Sequence, residues 1–183
     1  MPREHDAGAD EPTAAPTDWL VEHRALLPTS GLALDVACGG GRHAWWLAQQ
    51  GLRVRAVDRD PDAIAALCRR AARARLAIDA AVVDLETSAP PSGTAIYDVV
   101  VVVHYLHRPL FPWLVSVVRP GGLLIYETFT TAQARRGKPR NPAFLLEPGE
   151  LGRLVAPLEV IRAREGEFGG RDVAAVVARA PAG

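Results

Sequence analysis

Three consecutive glycines, Gly39, Gly40 and Gly41, end an apolar run that carries one acid, Asp35. Glycine lets a ligand touch the main chain and lets the chain adopt backbone angles closed to other residues. Ala37 and Arg42 flank the turn, and a helix opening at Arg42 would aim its free amides at a ligand seated there. A second acid, Asp58, ends the next apolar run beside Arg59, where a carboxylate can accept both hydroxyls of a ribose. A third acid, Asp84, follows a third run and precedes Leu85. Gly39-x-Gly41-x-x-Ala44 also satisfies a dinucleotide pattern. Asp35 decides between the ligands: a carboxylate feeding the turn is misplaced beside a pyrophosphate but suits a cation. The same acid can instead be buried and bonded to local amides, and the two readings are compatible.

Candidates for chemistry follow the later apolar runs. His104 and Tyr105 stand directly after the valines Val99 to Val103, His107 follows shortly, and Tyr126, Glu127 and Thr128 close a fifth run. His104 reads as a base, a pocket wall or a structural residue; Glu127 reads as a substrate contact or a structural acceptor. With Tyr105 they are the candidates for catalysis. His107, Tyr126, Arg140 and Asn141 are the candidates for substrate contact. Arg135, Arg136, Lys138 and Arg140 crowd one loop, which is either a solvated surface or a lid bearing on an anionic acceptor. His104, His107 and Glu127 are too few to claim a metal. Cys38 and Cys68 have neither zinc spacing nor a disulfide framework, and Cys38 reads as a small residue packed in the turn.

Positioning these residues requires alternating elements. Strands are predicted at 32–38, 53–58, 78–85, 98–103 and 123–129, and helices at 42–50 and 60–75. Thr17 or Asp18 can cap a helix reaching residue 27, and two further helices are predicted at 109–118 and 147–155. The unalternating valines fit a strand buried on both faces, as in a parallel sheet. Residues 158–164 and 172–179 read as a hairpin turning at Gly169-Gly170. The expectation is a doubly wound α/β fold: a mostly parallel seven-stranded sheet with one antiparallel edge strand and helices on both faces. Residues 1–16 are expected to be a disordered tail and residues 17–183 one domain.

The bulk numbers exclude some partners. Basic and acidic residues balance at 21 each, so no global field draws the chain to nucleic acid or membrane. No apolar run is long enough to span a bilayer, no secretory signal is visible, and a cytoplasmic protein is expected.

The acids and glycines, in this order, resemble the class I S-adenosylmethionine-dependent methyltransferases, which have a Rossmann-like fold. "LALDVACGGGR" matches their first motif, "VRAVDRDP" with Asp58 the second and "VVDLE" with Asp84 the third. "YDVVVVVHYLHRPL" and "RPGGLLIYETF" complete the series. The loop "GKPRNPAFLL" with its following "GEL" is similar to small bacterial methyltransferase-domain proteins related to the tellurite-resistance methyltransferases. The resemblance implies S-adenosylmethionine as cofactor, held by Asp35, Ala37, Gly39, Gly41, Arg42, Asp58, Arg59, Asp84, Leu85 and His104. It implies methyl transfer by in-line displacement, here to a small-molecule acceptor. One alternative is an RNA or protein methyltransferase using the 135–140 loop. Others are an NAD-dependent oxidoreductase and a non-catalytic cofactor-binding protein. The neutral charge argues against nucleic acid, and the only lysine, Lys138, sits in a loop, away from any Tyr-x-x-x-Lys pair.

Overall fold

The computed structural model describes residues 14–88 and 94–182. Most of the expected tail, up to residue 13, lies outside the described residues, as does the expected loop at 89–93.

Seven strands form one sheet: β1 (Leu32–Val36), β2 (Arg53–Asp58), β3 (Ile78–Val82), β4 (Tyr97–Val103), β5 (Val118–Phe129), β6 (Glu159–Phe168) and β7 (Arg171–Arg179). Their order is β3-β2-β1-β4-β5-β7-β6. β1 to β5 pair in parallel, while β7 runs antiparallel to both β5 and β6. The antiparallel strand is therefore inserted one position in from the edge, with β6 outermost. Alternation along the strands feeds two cores. Ala33, Val99, Val101 and Ile125 pack with α1 (Asp18–Glu22), α2 (Arg42–Gln49) and α3 (Pro61–Ala74) through Leu20, Leu47 and Leu67. Leu34, Val100, Val102 and Leu124 face the other way, onto α4 (Phe111–Val117) and α5 (Glu150–Leu154), where Phe111, Leu114 and Leu151 meet them. Helices thus cover both faces, which is why β4 has no polar side.

Several elements differ from expectation for local reasons. β3 stops at Val82, and Val83 and Asp84 turn out of the sheet. The first helix is only five residues long and continues as a 3-10 turn at Arg24–Leu26. Thr17 does not cap it; its hydroxyl donates to Glu127 instead, at 2.6 Å. Pro120-Gly121-Gly122 is carried inside β5 rather than before it, because the register with β4 shifts between Tyr97 and Val99 and absorbs the extra residues. α3 begins as read: Pro61 opens it and Asp60 accepts from the amides of Asp62 and Ala63 at 2.9 and 3.2 Å.

Candidate active site

Ligands in open α/β sheets bind beyond the carboxyl ends of the strands, where strand order reverses. Here the reversal lies between β1 and β4. Two residues stand at it, Ala37 after β1 and His104 after β4, and both have left-handed backbones with φ of 54° and 57°. Two cavities meet at this pair. The larger, about 790 Å³, also contains Asp58, Arg59, Asp84, Leu85 and Tyr105 from the sequence-derived candidates, and Arg140 and Asn141 from the loop beyond β5. The smaller, about 430 Å³, contains Gly39 and Arg42 together with Cys38, Gly40, His43 and Arg70.

The glycine turn is held from several sides. Asp58 accepts from the Gly39 amide at 2.7 Å and from the Asp60 amide at 2.9 Å, so one carboxylate fixes the turn and its own loop. Gly41 faces α3 rather than a cavity: its φ is 77°, and a Cβ there would lie 2.5 Å from Leu67. Gly39 has open space where a Cβ would be. Asp84 lines the larger cavity, and the Glu86 amide and the Thr87 hydroxyl hold its carboxyl below the usual range. Arg59 lies near enough to favour the same charge.

Asp35 lines neither cavity. It is fully buried behind the turn, where Oδ2 accepts from the Ala44 amide at 2.9 Å and Oδ1 has no hydrogen-bond partner. Burial raises its carboxyl from 3.8 to about 7, against the pull of the Ala44 amide. Between those values the folded protein binds a proton that the unfolded chain has released. Stability from this group therefore falls as pH rises from about 4 to about 7 and is level above that. Asp35→Asn keeps an acceptor for Ala44 and removes the titration. Its stability relative to the parent, measured by urea unfolding at several pH values, is expected to improve across that window and then level off. A difference independent of pH would show that Asp35 titrates alike in the folded and unfolded chain. His43 and His104 titrate with the opposite sign, but they are common to both proteins and cancel.

His104 donates its amide to the Glu127 carbonyl at 2.8 Å, and its ring stacks on Phe129 with centroids 4.6 Å apart. Burial pushes its imidazole down to about 4, so at neutral pH it is uncharged. Glu127 lines neither cavity. Its buried carboxylate accepts from Thr17 at 2.6 Å and from Arg164 at 2.7 Å, and lies 3.9 Å from His104 Nε2. Tyr126 is completely buried, stacked on Phe111, and donates its hydroxyl to the Tyr105 carbonyl at 2.7 Å. It therefore shapes the wall from behind, and Tyr105 presents its own ring, whose hydroxyl burial pushes up to about 12. His107 lines neither cavity; its carbonyl accepts from the Leu110 amide where a 3-10 turn begins. Burial likewise keeps the Cys38 thiol protonated, well above the ordinary range.

The N-terminal segment reaches the smaller cavity. Ala14 lines it, the Ala15 carbonyl accepts from Arg42 at 3.2 Å, and the Thr17 amide donates to His43 Nε2 at 3.3 Å. Sequence reasoning passed over several walls. Arg70 lies one turn beyond Leu67 on α3, a spacing that places it over the glycine turn, where it donates to the Gly40 carbonyl. Phe129 and Phe144 flank the loop as aromatics beside polar residues, a pattern readable as a pocket wall once the loop is known to fold back. No group of three or more potential metal ligands occurs among the described residues.

The donor set fits S-adenosylmethionine. It offers carboxylates for a ribose diol, and an exposed turn backbone and an arginine for an amino-acid end. The fold is Rossmann-like, and the order of its strand-end motifs resembles that of the S-adenosylmethionine-dependent methyltransferases. Residues 33–122, about half of the chain, match the family described as "Methyltransferase domain". Hemagglutinin 1 of Eikenella corrodens is 31% identical over 137 residues, which is 72% of this chain and 45% of that protein. The chain thus spans about half the length of the curated relative it matches. Among solved structures, TehB from Haemophilus influenzae superposes with a TM-score of 0.74 at 22% identity, covering 92% of this chain and 63% of that one. The N-methyltransferase NodS from Bradyrhizobium japonicum gives 0.66 at 22% identity over 82% and 86%. The [4+2]-cyclase SpnF gives 0.72 at 16% identity over 90% and 79%. These identities speak to fold alone, and a cyclase among them means that chemistry must be argued from the site. No described helix is long and apolar enough to cross a membrane.

Proposed function

We propose that the chain transfers a methyl group from S-adenosylmethionine to a small organic acceptor. The observation that carries this reading is the junction of two cavities at Ala37 and His104. S-adenosylmethionine supplies a methyl already activated on a sulfonium. Asp84 and the Leu85 amide recognise the adenine, and Asp58 accepts the ribose hydroxyls. The turn at Gly39 and the Arg42 guanidinium receive the amino-acid end in the smaller cavity, and Asp35, buried behind the turn, braces the start of α2 through the Ala44 amide. The reacting carbon then lies at the junction, and the rest of the larger cavity is left for the acceptor. Proximity and alignment supply most of the rate in such a displacement. His104 walls the junction and is uncharged at neutral pH; its lowered basicity makes it a weak proton acceptor, so alignment carries the displacement.

A concave site supports a small acceptor over RNA. Arg136, counted in the loop's basic cluster, ion-pairs with Asp172 and with Glu167 and is spent on the β6–β7 hairpin. The free thiols Cys38 and Cys68 support a reducing, cytoplasmic setting.

A thermal-shift titration with S-adenosylmethionine, S-adenosylhomocysteine, NAD and NADP tests the reading, since a ligand binding only the folded state raises the midpoint. Rises with the first two alone are expected. A rise with the nicotinamides alone would overturn the proposal in favour of hydride transfer.

A further inference from the structure

Charge on the walls of the larger cavity is segregated. Asp58, Asp84 and Glu86 stand where β2 and β3 end, with Arg59 among them. Lys138 and Arg140 stand on the segment beyond β5, and β1 and β4 separate the two groups in the sheet. The arginines that brace this region have carboxylate partners: Arg108 with Glu150 at 2.6 Å, Arg136 with Asp172 and Glu167, and Arg164 with Glu127 at 2.7 Å. Lys138 and Arg140 have none among the described residues.

The backbone carrying these two cations is pinned. Gln133 donates to the Lys138 carbonyl at 3.1 Å and accepts from the Asp172 amide at 2.8 Å. Asn141 Oδ1 accepts from the Ala143 amide at 3.0 Å, and Arg108 donates to the carbonyls of Ala143 and Leu145 at 3.1 and 2.9 Å. A segment tied at both ends presents its charges at little further ordering cost to a ligand. Beside them, Phe144 leaves 47% of its surface uncovered, and Phe129 continues the apolar wall toward His104.

We propose that the methyl acceptor is an amphipathic organic anion. Its anionic group pairs with Lys138 and Arg140, and its apolar body covers Phe144 and Phe129. This inference rests on the methyl-transfer reading and deepens it by naming the acceptor class. Lys138 and Arg140 select the acceptor by charge; they hold no part of S-adenosylmethionine.

The test uses the full chain saturated with S-adenosylhomocysteine and two probes of equal shape, 3-phenylpropanoate and 3-phenylpropanamide, titrated by calorimetry. The acid is expected to bind about tenfold more tightly than the amide, as charge-assisted hydrogen bonds to two cations require. Lys138→Gln with Arg140→Gln should abolish that preference and leave the affinity for S-adenosylhomocysteine within about twofold. Phe144→Ala should weaken acid and amide alike. Equal binding of the two probes, no binding of the acid in the millimolar range, or a preference that survives the double substitution would overturn the proposal. Failure of S-adenosylhomocysteine itself to bind would instead sink the methyl-transfer reading on which it rests.

Discussion

Asp58→Ala is expected to lower the affinity for S-adenosylhomocysteine roughly 100-fold. Both oxygens of Asp58 already accept one amide each, from Gly39 and from Asp60, and each keeps a second lone pair for a ribose hydroxyl. Hydrogen bonds to a charged group contribute about 1.5–3 kcal/mol each, and two of them at the lower bound give about 3 kcal/mol. The substitution also frees the Gly39 amide, so the turn loses the contact that fixes it. Asp58→Asn keeps the shape and one good acceptor and should lose roughly tenfold. Calorimetry on the three proteins measures the series. Affinity of the alanine variant within about threefold of the parent would mean that the ribose does not sit on this carboxylate.

Arg164→Met is expected to destabilise the fold by about 3–5 kcal/mol. Glu127 is buried, and Arg164 is its only cationic hydrogen-bond partner among the described residues. Removing one member of a buried pair strands the other charge, which costs far more than the pair itself contributes. For a chain of this length the melting temperature should fall by roughly 10 °C. Stacking adds to the loss, since the guanidinium lies 4.7 Å from the Trp19 ring centroid and 4.3 Å from that of Phe168. The double variant Arg164→Met with Glu127→Gln removes both charges and should regain much of the stability. It also separates two roles for Glu127. Methyl transfer that survives in the double variant makes Glu127 a brace for the His104 wall; transfer that disappears at unchanged cofactor affinity makes it part of the chemistry. A single variant as stable as the parent would show that water reaches the carboxylate.

The part of the candidate site built from strand ends was legible because its information is local. Each acid closes its own strand, and strand ends converge at one edge of a parallel sheet by topology alone. Asp58, Asp84 and the turn at Gly39 therefore reach cavities as the motif spacing implies. What the spacing could not reveal is depth. Asp35 lies one strand turn before the glycines and reads like a ligand group, yet strand alternation sinks it behind the turn, onto Ala44. Tyr126 and Glu127 read as strand-end residues like His104, but β5 runs on to Phe129, so both lie inside it and are buried, whereas His104 stands just past the end of β4. The partner that neutralises Glu127 comes from β6, across β7, and no local pattern announces a pairing so distant in sequence. The loop after β5 was read as one basic cluster. Whether each arginine turns inward or is tied to the hairpin depends on Asp172 and Glu167, which arrive much later in the chain.

The insertion of β7 between β5 and β6 has a consequence for how the chain is made. β5 pairs with β7 from Leu123↔Arg179 to Phe129↔Val173, so its outer edge is satisfied by almost the last residues described. A chain emerging from its N-terminus holds every strand of the parallel half, and every cofactor motif, before that partner exists. During the interval β5 is an open, apolar edge, the kind of strand that pairs with other chains when left exposed. The late hairpin is thus a cover as well as a brace: it closes the apolar edge that β5 leaves open in the nascent sheet, and it brings Arg164 to Glu127 in the same step.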